Sequence, residues 1–161
     1  MSIVEYRLVA LSELQKVKLR ASDILECKAT SGVPEDQILE VSIGVSKWWW
    51  AAVVDGVVAA VFGVAEMPSE GNLEGIGVPW FLATDEANKH PFHIFRQAKR
   101  WLDMMNDEYP VLVQFVDARH KEALQWVTWL GFEVIQTTTP GRNGETLIQM
   151  IRTRPCATQC Q

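Results

Sequence analysis

Apolar positions along the chain switch between a period of two and a period near 3.6, and these switches set out the expected elements. Residues 3–11, IVEYRLVAL, alternate and include β-branched side chains, which predicts a first strand. Ser12 then suits a helix N-cap and Glu13 the positive end of its dipole. Leu14, Val17, Ala21 and Ile24/Leu25 recur at helical spacing and predict one helix to about Ala29. Ser31-Gly32-Val33-Pro34 interrupts it. Pro34 suits the first turn of a second helix, whose buried stripe is expected to be Ile38, Val41 and Val45. Trp48–Val54 and Val57–Val64 flank Asp55-Gly56, a strong hairpin signal. Met67–Gly77, with Pro68, Gly71 and Gly75, reads as a loop, and 78–83 (VPWFLA) as a strand. Thr84 or Asp85 is expected to cap a long helix with Phe92, Phe95, Ala98/Lys99, Leu102 and Met105 on its inner face, ended by Tyr109-Pro110. Residues 111–116 (VLVQFV) predict a strand, and Asp117 or Ala118 leads into a short helix at 120–130 with Gly131 as its stop. Phe132–Thr138 and Thr146–Arg152 form a closing hairpin around Pro140–Gly144.

The predicted order is β-α-α-β-β-β-α-β-α-β-β in one domain, residues 1–152, followed by a tail, 153–161, with no apolar period and expected to be mobile. Strands interleaved with helices, plus two hairpins, imply an α/β (α+β) fold with a mixed, mostly antiparallel sheet flanked by helices. At 161 residues and 48% hydrophobic content, the chain can bury a core without disulfides or metal. The net charge of −5 argues against a nucleic-acid-wrapping domain. No apolar run approaches the ~18 residues of a membrane span, and the N-terminus is too acidic for a signal peptide, so a cytoplasmic setting is expected. Cys27, Cys156 and Cys160 are too scattered for a disulfide framework, and His90, His93 and His120 do not complete a ligand set, so no metal site is expected; the role of Cys156 and Cys160 stays open. Seven Trp against two Tyr suit either a heavy core or an interface.

This element order resembles the GNAT fold, the Gcn5-related N-acetyltransferases, over about residues 3–152. Leu130-Gly131-Phe132 resembles the Leu-Gly-Phe that ends the fourth helix of that family; its Gly stops the helix while Leu and Phe clamp helix to strand. A narrower likeness lies in six words in register: Val54-Asp55-Gly56, Val61-Phe62-Gly63, Pro79-Trp80-Phe81-Leu82-Ala83-Thr84-Asp85, Tyr109-Pro110-Val111-Leu112, Val116-Asp117-Ala118-Arg119 and Trp129-Leu130-Gly131-Phe132. Together they resemble the GNAT-like family of tailed phages that includes the internal virion protein A of short-tailed phages. That resemblance implies a protein made in the host cytoplasm during infection, tied to virion morphogenesis and possessing a protein partner, phage structural or host.

GNAT enzymes bind acetyl-CoA pyrophosphate on a Gln/Arg-x-x-Gly-x-Gly/Ala loop, whose glycines let phosphate approach the backbone N–H groups at a helix N-terminus. Here that place holds Ala83-Thr84-Asp85-Glu86-Ala87-Asn88-Lys89-His90-Pro91, with no glycine and two carboxylates that repel a polyanion. If coenzyme A binds, Leu82, Ala83, Lys89 and His90 are its candidate contacts. The family's leaving-thiolate proton donor, a Tyr three residues before the Leu of Leu-Gly-Phe, is replaced by Val127, and neighbouring Trp126 is only a weak N–H donor. Candidate general bases are Glu66, Asp117 and His120, each of which also has a plain reading as a loop charge, a turn cap or a surface residue. Arg119 either pairs with Asp117 or binds an anion. No cofactor is expected, and the sequence favours a GNAT-like phage protein with a degraded cofactor site acting by protein–protein contact. The alternatives are an acetyl-CoA-dependent N-acetyltransferase modifying a host or phage protein, and a small inhibitor of a host protein. Trp49, Trp126 and Trp129 are the candidate partner surface, because they exceed what one core-facing stripe requires.

Overall fold

The computed structural model describes residues 2–67 and 75–154, side chains 137 and 138 excepted. The elements are β1 (Val4–Arg7), α1 (Leu11–Leu14), α2 (Ala21–Thr30), α3 (Ile38–Gly44), β2 (Ser46–Val54), β3 (Val57–Glu66), β4 (Ile76–Ala83), α4 (Pro91–Glu108), β5 (Val111–Asp117), α5 (Lys121–Trp129), β6 (Glu133–Pro140) and β7 (Thr146–Thr153), with 3₁₀ turns at Glu35–Gln37 and Asp85–Lys89. The strands form one seven-stranded sheet in the order β1-β2-β3-β4-β5-β7-β6, antiparallel except for β4 against β5. Helices cover both faces, giving the expected α/β class. Among the described residues no helix is long and apolar enough to cross a membrane. The predicted loop at 67–77 falls largely, and the predicted tail with Cys156 and Cys160 almost wholly, outside the described residues.

Alternation along β2 sorts its three tryptophans. Trp48 and Trp50 pack against Trp101 of α4, with ring centroids 6.2 and 5.5 Å apart, on the face shared with α5. Trp49 lies on the other face with Trp80, Leu39 and Ile43, over the cluster that includes Val9, Leu14 and Val61. Gly63 sits between Trp49 and Trp80. A Cβ there would stand 2.6 Å from the Trp48 carbonyl oxygen and 2.9 Å from Trp49 Cβ, so only glycine lets both rings lie across β3. On the α4 side, Arg152 joins three elements. Its guanidinium donates to the Leu130 carbonyl at the end of α5 (2.9 Å), to Asp103 (2.5 Å) and to buried Asn106. Gly131, at φ 96°, turns the chain out of α5 directly beside it.

Several expectations are corrected. The first strand is only Val4–Arg7, and the single helix expected from Ser12 to Ala29 is two, with Ala10 as the first N-cap. The helix breaks after Leu14 because two distant anchors need an extended link: Leu14 and Val17 pack on the β2–β3 face, while the Arg20 N–H reaches the Ala83 carbonyl of β4 at 2.8 Å. Pro34 precedes a 3₁₀ turn, and α3 buries Ile38 but leaves Val41 and Val45 exposed. Thr84 caps the Asp85–Lys89 turn through Glu86 N–H (3.2 Å), and α4 starts only at Pro91, a residue with no N–H to leave unpaired. The inward stripe of α4 is Ile94, Ala98, Trp101, Leu102 and Met105. Phe92, two residues and so about 200° from Ile94, is 87% exposed rather than buried.

Candidate functional site

The parallel seam of the sheet lies between β4 and β5. Thr84 N–H donates to Ala59 of β3 (2.9 Å), whereas the Gly75 carbonyl accepts from Val111 of β5 (3.3 Å). Main-chain groups of odd-numbered β4 residues therefore face β5. The parallel ladder runs through Ile76–Val111 and Gly77–Leu112 and then stops. The next odd residue is Pro79, which has no N–H to continue it. From there the strands part.

The protein's own groups line this opening. Gln114 Nε2 of β5 donates to the Pro79 carbonyl. At the far end the α2 N-terminus lies along the edge of β4: Arg20 N–H donates to the Ala83 carbonyl (2.8 Å), and Ala83 N–H donates to Asp23 Oδ2 (2.7 Å). The Arg20 guanidinium fixes Asp23 (2.9 Å) and reaches Asn88 (3.0 Å). Phe81, Phe95 and Trp126 meet behind the opening, with centroids 5.6 and 5.1 Å apart. The buried Trp126 Nε1–H has no acceptor among the described residues, and Phe81 and Trp126, with Pro79 and Gln114, help line an apolar cavity of about 80 Å³. That is roughly half the ~150 Å³ that admits a benzene.

Asp117 and His120 are brought together at the C-terminal end of β5, but Glu66 is not. Asp117 is 1% exposed, and the Arg119 side chain clasps it at 2.5, 3.0 and 3.1 Å while Arg119 N–H donates at 2.9 Å. Those bonds hold its pKa down to about 2. His120 Nδ1 lies 3.7 Å from Glu26 Oε2 of α2. Burial pushes Glu26 upward against the opposing pull of His120, and burial with Asp23 and Glu26 nearby pushes the Cys27 thiol up to about 11. Glu66 is exposed at the opposite end, paired with Gly77 six residues along β4 from Ala83, about 20 Å away.

Of the candidate cofactor contacts, Leu82 and Ala83 are buried in β4. Lys89 Nζ and His90 Nε2 both turn to Glu86, at 2.7 and 3.4 Å. Glu86 N–H is bound by Thr84 Oγ1, Ala87 N–H by the Thr84 carbonyl and His90 N–H by the Ala87 carbonyl. A phosphate approaching this turn would find the N–H groups of Glu86, Ala87 and His90 already bound and the Glu86 carboxylate beside them. Among the described residues no three His, Cys, Asp or Glu side chains converge as a metal site. Trp49 and Trp126 are half-buried, and Trp129 is 52% exposed with Lys99 Nζ 4.1 Å above its ring. Sequence reasoning missed Arg20, Asp23, Glu26 and Gln114. The only signal was Arg20/Asp23 at helical spacing opposite an apolar stripe.

The fold has relatives among solved structures. A protein assigned as a phosphinothricin N-acetyltransferase superposes with a TM-score of 0.70 at 14% identity, covering 95% of this chain and 99% of that one. The ribosomal-protein-S18-alanine N-acetyltransferase of Escherichia coli gives 0.64 at 15% identity over 100% and 99%. An aminoglycoside acetyltransferase, AAC(6')-Ib, solved with coenzyme A, gives 0.64 at 16% identity over 94% and 95%. The chain thus has the fold of the GNAT acetyltransferases, and at these identities the likeness is one of fold. No family model matches it, and no curated protein matches it in sequence.

Proposed function

We propose that this chain is a GNAT-fold phage protein acting in virion morphogenesis through protein contacts, without acyl transfer from acetyl-CoA. The observation carrying the loss of acyl transfer is the edge of β4 at Ala83, whose N–H and carbonyl are taken by Asp23 and Arg20 of the same chain. The glycine-free turn with its paired Glu86 supports the same reading. The virion role rests on the six sequence words in register, and places the chain in the host cytoplasm during infection and in association with the particle.

Titration calorimetry with acetyl-CoA is expected to show no binding tighter than about 1 mM, equivalent to about −4 kcal/mol. A low-micromolar dissociation constant overturns the closed-site reading. Mass spectrometry of purified particles and assembly intermediates is expected to find the chain, and its absence from both overturns the virion role. A second reading, N-acetyl transfer to a protein, is favoured by the Glu26–His120 contact, a desolvated carboxylate beside an imidazole at the end of the seam.

A further inference from the structure

Two surfaces on opposite faces of the sheet complement one another. On one, α4 and α5 lie ridge to ridge, joined by Phe95 against Trp126 and by Lys99 over Trp129. One turn before Phe95, Phe92 projects into solvent. Residues 91–102 of α4 hold Arg96, Lys99 and Arg100 and no carboxylate, in a chain whose net charge is −5. Arg96, Lys99 and Arg100 have no carboxylate within ion-pair distance among the described residues. The same is true of Lys16, Lys18, Lys28, Lys121 and Arg142, but only these three stand together on one helix. Asp103, the residue just after this stretch, is engaged by Arg152. Exposed tryptophan beside cations is the composition of an interface hot spot.

The other surface is α3 and the turn before it. Residues 31–46 contain Glu35, Asp36 and Glu40 and no Lys or Arg. All three acids are exposed, and none has a cation within ion-pair distance among the described residues. Asp36, Glu40, Val41, Gly44 and Val45 line a shallow open trough, and nothing lies within 4 Å of a Cβ placed on Gly44. Val41 and Val45 form its exposed apolar wall.

We infer that the α4–α5 ridge of one copy of this chain docks into the α3 trough of a second copy. Trp129 and Phe92 supply the apolar knobs, and Arg96, Lys99 and Arg100 meet Glu35, Asp36 and Glu40. The two surfaces differ and lie on opposite sides of the sheet, so the contact is head-to-tail and leaves one free surface of each kind at the ends. Such a contact propagates into a ring or a filament. Nucleic acid is the poorer occupant of the basic ridge, because the net charge of the molecule opposes a polyanion. The inference names the partner for the contact role proposed above, yet it holds or fails independently of acetyl-CoA binding, which calorimetry reads separately.

Sedimentation of the full chain at about 100 μM and low salt is expected to give a mass that rises with concentration to several copies and falls back in roughly 0.5 M salt. Reversing the ridge (Arg96→Glu, Lys99→Glu, Arg100→Glu) or the trough (Glu35→Lys, Asp36→Lys, Glu40→Lys) is expected to leave each variant monomeric. An equimolar mixture of the two is expected to associate again, since each reversed surface now suits the other. Trp129→Ala is expected to weaken association at least tenfold with an unchanged circular dichroism spectrum. If a triple variant fails to fold, Lys99→Glu and Glu40→Lys alone test the same pairing. A monomeric wild type, association indifferent to both reversals, or a mixture that stays monomeric overturns the proposal. So does a monomer whose ridge binds only a Glu-rich peptide or a single-stranded oligonucleotide, which names a different occupant.

Discussion

Asp117 illustrates how a carboxylate at a strand end can be buried and still be a poor base. Four hydrogen bonds from Arg119 satisfy its oxygens, and its pKa is held at about 2, below the ordinary value of 3.8. A carboxylate depressed on folding stabilises the native state at pH above its unfolded value, and that contribution is lost as pH falls through the folded value. Asp117→Asn is therefore expected to cost about 1–3 kcal/mol at pH 7, from lost charge-assisted hydrogen bonds. The difference from wild type should close between about pH 4 and pH 2. Urea unfolding at both ends of that window checks it, and an equal deficit at pH 2 contradicts the assignment.

At the scale of elements, α4 shows how a stripe is set by the partner as well as by spacing. Leu102 is buried among Phe62, Met105 and Leu130, so Leu102→Ala is expected to cost about 2–5 kcal/mol. Phe92→Ala is expected to change stability by no more than about 0.5 kcal/mol. Thermal unfolding of the two variants side by side distinguishes this face from the one read in the sequence. Elements whose ends are fixed by local backbone chemistry were legible: the Asp55-Gly56 hairpin, with φ of 48° and 84°, and the Gly131 stop of α5. The break between α1 and α2 was not, because it is decided by the Arg20 main chain reaching Ala83, far away in sequence. The sequence places the start of α4 one 3₁₀ turn too early, at Thr84 or Asp85, because the Thr84 cap serves the Asp85–Lys89 turn and the helix itself begins at Pro91. The candidate site was legible only in part. Asp117 and His120 lie together as their shared strand end suggests, whereas Asp23 and Gln114 act on main-chain groups of β4 and leave no side-chain pattern to find.

For the whole molecule, the sheet order separates two blocks. The first comprises β1–β4 with α1–α3, and the second β5–β7 with α4 and α5. Within each block neighbouring strands pair antiparallel along most of their length, and Arg152 ties β7, α4 and α5 of the second together. The GNAT architecture is legible from the sequence at this scale because element order and hairpin chemistry are both local properties. Which surfaces remain for partners is not, since exposure of Phe92, Trp129, Val41 and Val45 depends on how the blocks close.

The two-residue parallel ladder at Ile76–Gly77 has a consequence for how the protein opens. Among the described residues it is the only strand pairing between the two blocks, so their union rests on side-chain packing across α4, on the Gln114 bond to Pro79, and on α2, where the Ala29 carbonyl accepts from Arg142 N–H (3.0 Å) and Glu26 faces His120 (3.7 Å). Cooperative unfolding units follow such boundaries. Native-state hydrogen exchange is therefore expected to release the β4–β5 amides at lower free energy than the β2–β3 or β5–β7 amides, and uniform protection across all seven strands contradicts it. A chain severed within the Asp85–Lys89 turn would keep every antiparallel ladder intact. Its two pieces, produced together, are expected to find each other and rebuild the native sheet without a covalent link, which makes this turn the natural place to divide the protein into a reporter pair.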